Sequence, residues 1–242
     1  MTEQGREQGV LLPFYLVADV SYSMDGEKLA RVNEILTDLV DALAKNPILS
    51  DKVRFGMIDF ADDARVVLTL CDLAEQDRLP MLTCRGGTSF AAAFDMVRKQ
   101  IESDASQLRA DGFKVHRPAM FFLSDGQPTD DTPVWQSAFA ALTEYDRQSG
   151  TGNKWYPNVI PFGVGDADPA TMAQLIYPKK RSKMYMSAEG ADAAGAIRSM
   201  AEILIASVLS SGYSAAEGGS GIVLPDKDEV PDNVDVYDDW LE

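Results

Sequence analysis

A doubly wound α/β domain is the fold the sequence predicts: a mainly parallel six-stranded sheet with one antiparallel edge strand and helices on both faces. Three observations lead there. Short, almost wholly apolar runs of strand length recur along the chain, as expected of strands covered on both faces. Segments whose apolar residues follow helical spacing alternate with them, which implies right-handed crossovers between parallel strands. Finally, 242 residues at 45% hydrophobic content suffice for a sizeable core.

The first strand is Val10 to Asp19, VLLPFYLVAD. From Glu27 to Lys45, Leu29, Val32, Leu36, Leu39, Val40 and Leu43 keep helical spacing until Asn46-Pro47 stops it. Val53 to Phe60 and Arg65 to Leu70 are β-rich runs flanking an Asp-Asp turn, a hairpin whose second strand lies at a sheet edge. Gly86-Gly87 gives backbone freedom before Thr88-Ser89, an N-cap pair. The helix that follows carries Phe90, Phe94, Val97, Ile101 and Leu108 and ends near Asp111-Gly112. Pro118 to Leu123 is a buried-type strand, followed by the turn-rich SDGQPTDDTP. A helix around Val134 to Arg147, a strand around Asn158 to Val164, a short helix after Asp168-Pro169 and a strand at Lys183 to Met186 continue the alternation. A final amphipathic helix carries Ala193, Ile197, Met200, Leu204 and Val208. This divides the chain into an N-terminal extension (1–9), the domain (10–212), and a flexible linker with an acidic tail (213–242).

Charge narrows the partners. The net charge is −16, of which residues 226 to 242 contribute −7, leaving −9 on the rest. Phosphate-backbone binding requires Lys and Arg, so nucleic acid is not expected as a partner, nor is an anionic membrane. An acidic body instead favours cations and basic partner surfaces. With neither a run of about 18 apolar residues nor a secretion-type N-terminus, direct membrane insertion is not expected and a cytoplasmic location is. Cys71 and Cys84 suit neither a disulfide framework nor a zinc site and are read as buried free thiols.

Three loops fall on what would be one edge of the sheet: Asp19-Val20-Ser21-Tyr22-Ser23, Gly87-Thr88 and Ser124-Asp125-Gly126. Ligands of open α/β sheets bind outside the carboxyl ends of the strands, where strand order reverses. Two carboxylates and three hydroxyls, without His or Cys, form an all-oxygen set suited to Mg²⁺ or Mn²⁺ and not to zinc. With two charged ligands the ion stays electron-poor, and an incoming carboxylate would complete its shell.

Asp-x-Ser-x-Ser at residues 19 to 23, Thr88 after Gly-Gly, and Asp125-Gly126 resemble the metal-ion-dependent adhesion site (MIDAS) of von Willebrand factor A (vWA) domains, over roughly residues 10 to 212. The segments PFYLVADVSYSM, GGTSF and FFLSDGQPTD are closest to the bacterial tellurium-resistance TerY type. The resemblance implies a Rossmann-like vWA fold and a metal held by Asp19, Ser21, Ser23, Thr88 and Asp125. In that pattern Ser21 and Ser23 ligate directly, and Asp19 acts through water and by orienting the serines. Thr88 and Asp125 change between direct and water-mediated contact, and a partner's Glu or Asp is the last ligand. It also implies a bacterial stress-response scaffold whose partners include a protein kinase, a protein phosphatase or other tellurium-resistance proteins.

Simpler readings stand beside these. Asp19 and the serines could cap a helix, Thr88 could be only an N-cap and Asp125 only a turn former. An Asp19 nucleophile would make the chain a metal-dependent phosphatase or phosphotransferase. However, Ser21 stands where such enzymes carry a second Asp, and no phosphate loop or nucleophile elbow occurs. The expectation is an interaction module, not an enzyme. Asp59, Asp62 and Asp63 read as turn chemistry more readily than as a second cation site, His116 as surface or packing, and Trp135 and Phe139 as core. Tyr22 and Gln127 are candidate partner contacts. The acidic tail is expected to be solvated, with a docking segment as its alternative.

Overall fold

In a computed structural model describing residues 8–219 and 221–238, strands and helices alternate along almost the whole chain. In order they are β1 (Gln8–Asp19), α1 (Glu27–Ala44), α2 (Pro47–Ser50), β2 (Val53–Phe60), β3 (Ala64–Cys71), α3 (Phe90–Ala110), β4 (Phe113–Val115), β5 (Ala119–Ser124), α4 (Thr132–Thr143), β6 (Tyr145–Asp146), β7 (Thr151–Gly152), β8 (Asn158–Gly163), α5 (Pro169–Ala173), β9 (Met184–Ser187), α6 (Ala193–Ala216) and β10 (Val234–Tyr237). The main sheet runs β10-β9-β8-β5-β1-β2-β3, with β4 pairing the start of β1. β1 is parallel to β2, β4 and β5, β5 to β8, and β8 to β9. The two outer strands β3 and β10 are antiparallel to their neighbours. Because β1 leads to β2 on one side and, through α3, to β5 on the other, strand order reverses beside β1.

The six strands and single antiparallel edge expected from the sequence are therefore corrected to eight strands and two antiparallel edges. β4 is only three residues long, too short for a period-2 pattern to register. β10 carries Val234 and Val236 alternating with Asp235 and Tyr237, an apolar face hidden by surrounding acids.

Strand alternation divides the core. Phe14, Leu16 and Ala18 of β1 pack on one face with Val32, Leu36 and Leu39 of α1 and Ile197, Met200 and Leu204 of α6. Tyr15 and Val17 point to the other face, with Phe90, Phe94 and Val97 of α3 and Trp135 of α4. Truncating a fully buried residue such as Leu36 to Ala costs about 2–5 kcal/mol. Among the described residues α6 alone has the length and hydropathy of a membrane span, but it is also the core helix here: Ile197, Leu204 and Val208 are fully buried.

The chain beyond 212 departs from the expected linker and solvated tail. α6 continues to Ala216, and the segment after it returns along the domain. Ser211 Oγ accepts the Val223 amide at 2.8 Å, the Tyr185 hydroxyl donates to Pro225 O at 2.9 Å, Lys183 pairs with Asp226, and Ser199 Oγ donates to Asn233 Oδ1 at 2.8 Å. β10 then closes the sheet edge, with Val234 buried. At the other end, Gln8 and Gly9 already belong to β1. The remainder of the N-terminal extension (1–7) and the last tail residues (239–242) lie outside the described residues.

Candidate metal centre

The predicted edge forms because β1 and β5 are adjacent and parallel, so Asp19 and Ser124 end their strands side by side. The Val20 amide still donates to Phe60 O at 2.9 Å. The chain then turns through a single 3-10 turn, Tyr22–Met24, pinned by the fully buried Met24. Asp19 Oδ1 accepts the Ser21 amide at 2.8 Å, and Asp19 Oδ2 accepts the Ser124 hydroxyl at 2.6 Å. Asp19 thus ties the first loop to the end of β5.

The Thr88 loop is laced onto the first one. Arg85 N donates to Val20 O at 2.8 Å and Tyr22 N to Gly86 O at 3.2 Å. Asp62, in the β2–β3 turn, accepts the Gly87 amide at 2.9 Å, and Ser89 N donates to Ala61 O at 2.6 Å. Gly86 has φ +57°, and a Cβ there would collide with the Asp62 carboxylate, so this close approach requires glycine. Ser89 caps α3 through Ala92 N at 3.1 Å, while Asp130 accepts from Ser89 Oγ at 2.8 Å and Ala91 N at 2.9 Å. Loop two is therefore held from both sides.

The ligand-type oxygens converge. Ser21 Oγ and Ser23 Oγ lie 2.9 Å apart, and Ser23 Oγ donates to Asp125 Oδ1 at 2.6 Å. A Cβ on Gly126 would sit 4.0 Å from both Ser23 Oγ and Thr88 Oγ1, which places the Thr88 hydroxyl beside the same chain of oxygens. Exposure is graded: Asp19 is 0%, Ser21 2%, Asp125 3% and Thr88 5% exposed, whereas Ser23 is open to solvent. Burial pushes the Asp19 carboxyl up to about 6, against the hydrogen bonds from Ser124 and Ser21, and the Asp125 charge adds to the rise. The Lys28 ammonium, from the first turn of α1, pairs with Asp125 Oδ2. A buried carboxylate beside a second one, with hydroxyls between and one open end, is an environment that a small hard cation stabilises.

Sequence reasoning missed the supports. Ser124, Lys28, Arg85, Asp62 and Asp130 orient the five residues, and only Ser124, adjacent to Asp125 at a strand end, carried a local signal. Asp59 and Asp63 share Arg85, at 2.5 Å for Asp59, so this trio is spent on loop anchoring. Among the described residues no group of three or more His, Cys, Asp or Glu could hold a metal. Cys71 and Cys84 are free but half-buried, with burial raising the Cys71 thiol to about 11. His116 is half-buried, and burial lowers its imidazole below the usual range. Trp135 is core, Phe139 packs against Phe94, and Tyr22 and Gln127 are exposed beside the loops.

Residues 14–127 match the family model of the von Willebrand factor type A domain. Among solved structures, a von Willebrand factor type A protein from Catenulispora acidiphila is similar at 17% identity and a TM-score of 0.59, over 82% of this chain and 43% of that one. The proximal thread matrix protein 1 of the mussel byssus is similar at 16% identity and a TM-score of 0.53, over 84% of this chain and 49% of that one. A structure of that mussel protein with a zinc-occupied MIDAS motif matches at 16% identity and a TM-score of 0.50, over 83% of this chain and 46% of that one. This chain therefore spans less than half the length of each of these proteins. No curated protein sequence matches it. The stretch from β1 to β5 is thus similar to the von Willebrand factor type A domain, and the fold around it is shared with these structural neighbours.

Proposed function

We propose that this domain holds one divalent cation on Ser21, Ser23, Thr88 and Asp125, with Asp19 behind them, and uses it to bind a partner protein through a Glu or Asp carboxylate. Domains of this family generally mediate metal-dependent protein–protein interaction. The observation that carries the proposal is the continuous oxygen chain from Ser21 through Ser23 to Asp125, buried at one end and open at the other. Both oxygens of Asp19 already accept hydrogen bonds, so its part is to orient Ser21 and to act through water. The bound cation supplies an electron-poor centre for an incoming carboxylate. Exposed Tyr22 and Gln127 flank that approach as partner contacts.

Donor chemistry favours Mg²⁺ or Mn²⁺. The zinc-occupied motif in the mussel protein makes competition between Mg²⁺ and Zn²⁺ the measurement that settles the metal. A bacterial, cytoplasmic tellurite or stress-response complex, with a protein kinase, a protein phosphatase or other tellurium-resistance proteins as partners, is the assignment suggested by the TerY-like segments. A phosphotransferase using Asp19 as nucleophile is disfavoured, because that carboxylate is fully buried with both oxygens engaged.

The test is affinity capture from the native cell with Mg²⁺ or with chelator, comparing wild type with Ser21→Ala/Ser23→Ala. Partners lost in both the chelated and the variant samples support the proposal. Partners retained in both would make the cation, if bound at all, a structural tie.

A further inference from the structure

We propose that a cavity of about 590 Å³ at the opposite end of the sheet is a binding site for a small organic oxyanion, a carboxylate or phosphate ester carried on an apolar body. β1, β5 and β8 are parallel, so their starts share one edge and their ends another. The cavity is lined at the starting edge by Phe14 of β1, by His116 and Arg117 before β5, by Asn158 opening β8, and by Arg181. Phe14 lies five residues before Asp19, a separation of about 17 Å along an extended strand. This is a different site from the metal loops.

Its chemistry is opposite to that of the rest of the molecule. The chain has 38 acidic residues against 22 Lys and Arg, yet the lining holds two arginines and the sole histidine and no Asp or Glu. Arg117 is prepositioned: its guanidinium lies over the Tyr156 ring at 4.0 Å and its Nη2 donates to Tyr156 Oη at 2.5 Å. That occupies one of five N–H donors and leaves the rest of the fork for an oxyanion. Arg181 is exposed, and its side chain has no ion-pair partner among the described residues.

Asn158 adds a neutral polar group to the same lining. It is 5% exposed, its backbone N–H is spent on Pro118 O at 2.8 Å, and it lines the cavity beside Arg117. Its side-chain NH₂ can donate to a ligand oxygen in the cavity. Leu12, Phe14 and Ile222 supply the apolar wall that a bare inorganic anion would not use.

The test uses the full chain in chelator, with phenyl phosphate as the probe and inorganic phosphate and benzyl alcohol as comparisons. Binding is read by calorimetry and by the imidazole resonances of the single histidine. Phenyl phosphate is expected to move the His116 resonances and to bind roughly ten-fold or more tightly than either comparison. Arg181→Glu, a surface change that leaves the core intact, should weaken it by about ten-fold, and Asn158→Leu by a similar factor, with a melting curve showing that the latter folds. Ser21→Ala/Ser23→Ala should leave it unchanged, which separates this site from the metal proposal. An unmoved His116, or binding indifferent to Arg181→Glu, would overturn the site. Equal affinity for inorganic phosphate would overturn the apolar body.

Discussion

At the carboxyl ends of β1 and β5 the polar side chains are bound to one another, whereas at the amino ends of the same strands they are left largely to a cavity. Asp19, Ser21, Ser23, Ser124 and Asp125 form one hydrogen-bonded set, locked by loops that contact each other through backbone. Among the described residues, Arg117 alone of His116, Arg117, Asn158 and Arg181 has a side-chain anchor given by Tyr156. A parallel sheet gathers sequence-distant residues at both of its edges. In this protein one edge is acidic and preorganised and the other basic and open. Each edge therefore suits a ligand of opposite charge.

Removing the hydroxyls should separate the two ends most sharply. Ser21→Ala/Ser23→Ala is expected to weaken Mg²⁺ binding by roughly 100-fold in calorimetry, the scale at which lost metal-site groups act, while the melting temperature in chelator changes little. Equal Mg²⁺ affinity in the variant would place the cation elsewhere.

The acidic end should also carry a pH signature. Asp19 titrates near 6 when folded and at 3.8 when unfolded, so the folded state binds the extra proton between those values. In chelator, stability attributable to Asp19 is full below pH 3.8 and declines as pH rises through about 6, by on the order of 3 kcal/mol. Urea unfolding of wild type and Asp19→Asn across that range isolates the effect. Excess Mg²⁺ should oppose the decline by favouring the carboxylate, and a wild-type profile parallel to that of Asp19→Asn would contradict the buried-carboxylate account.

Preorganisation can be attacked without touching a ligand. Gly86→Ala forces a side chain into a left-handed backbone and against Asp62, at about 1–3 kcal/mol. Differential scanning calorimetry should show a loss of several degrees, with Mg²⁺ affinity falling in parallel as the Thr88 loop shifts. The smallest expected effect is at Lys28. Lys28→Ala frees Asp125 Oδ2 from its ammonium and should tighten Mg²⁺ binding by roughly five-fold, because an internal cation no longer competes.

The fold was legible wherever apolar runs were long. β1, β2, β5 and β8 announce themselves as continuous hydrophobic segments, and α1 and α3 by their spacing, because burial on two faces or one stripe leaves a direct trace. β4 and β10 left none: three residues establish no period, and the acids around Val234 and Val236 disguise an edge strand. At the site, Asp19, Ser21, Ser23 and Asp125 could be named because their chemistry is local to short motifs. Lys28, Asp62, Arg85 and Asp130 could not, since what they do depends on partners 25 to 97 positions away. Asn158 was likewise invisible, for an asparagine opening a strand signals nothing until the fold sets it in the wall of a cavity.

The most direct measurement is a crystal of the full chain soaked in Mn²⁺ and recorded at the manganese absorption edge. The account predicts a single strong anomalous peak within direct coordination distance of the Ser21 and Ser23 hydroxyls and beside Asp125. A peak at Asp59, Asp62 and Asp63, or none at the serines under saturating Mn²⁺, would contradict it.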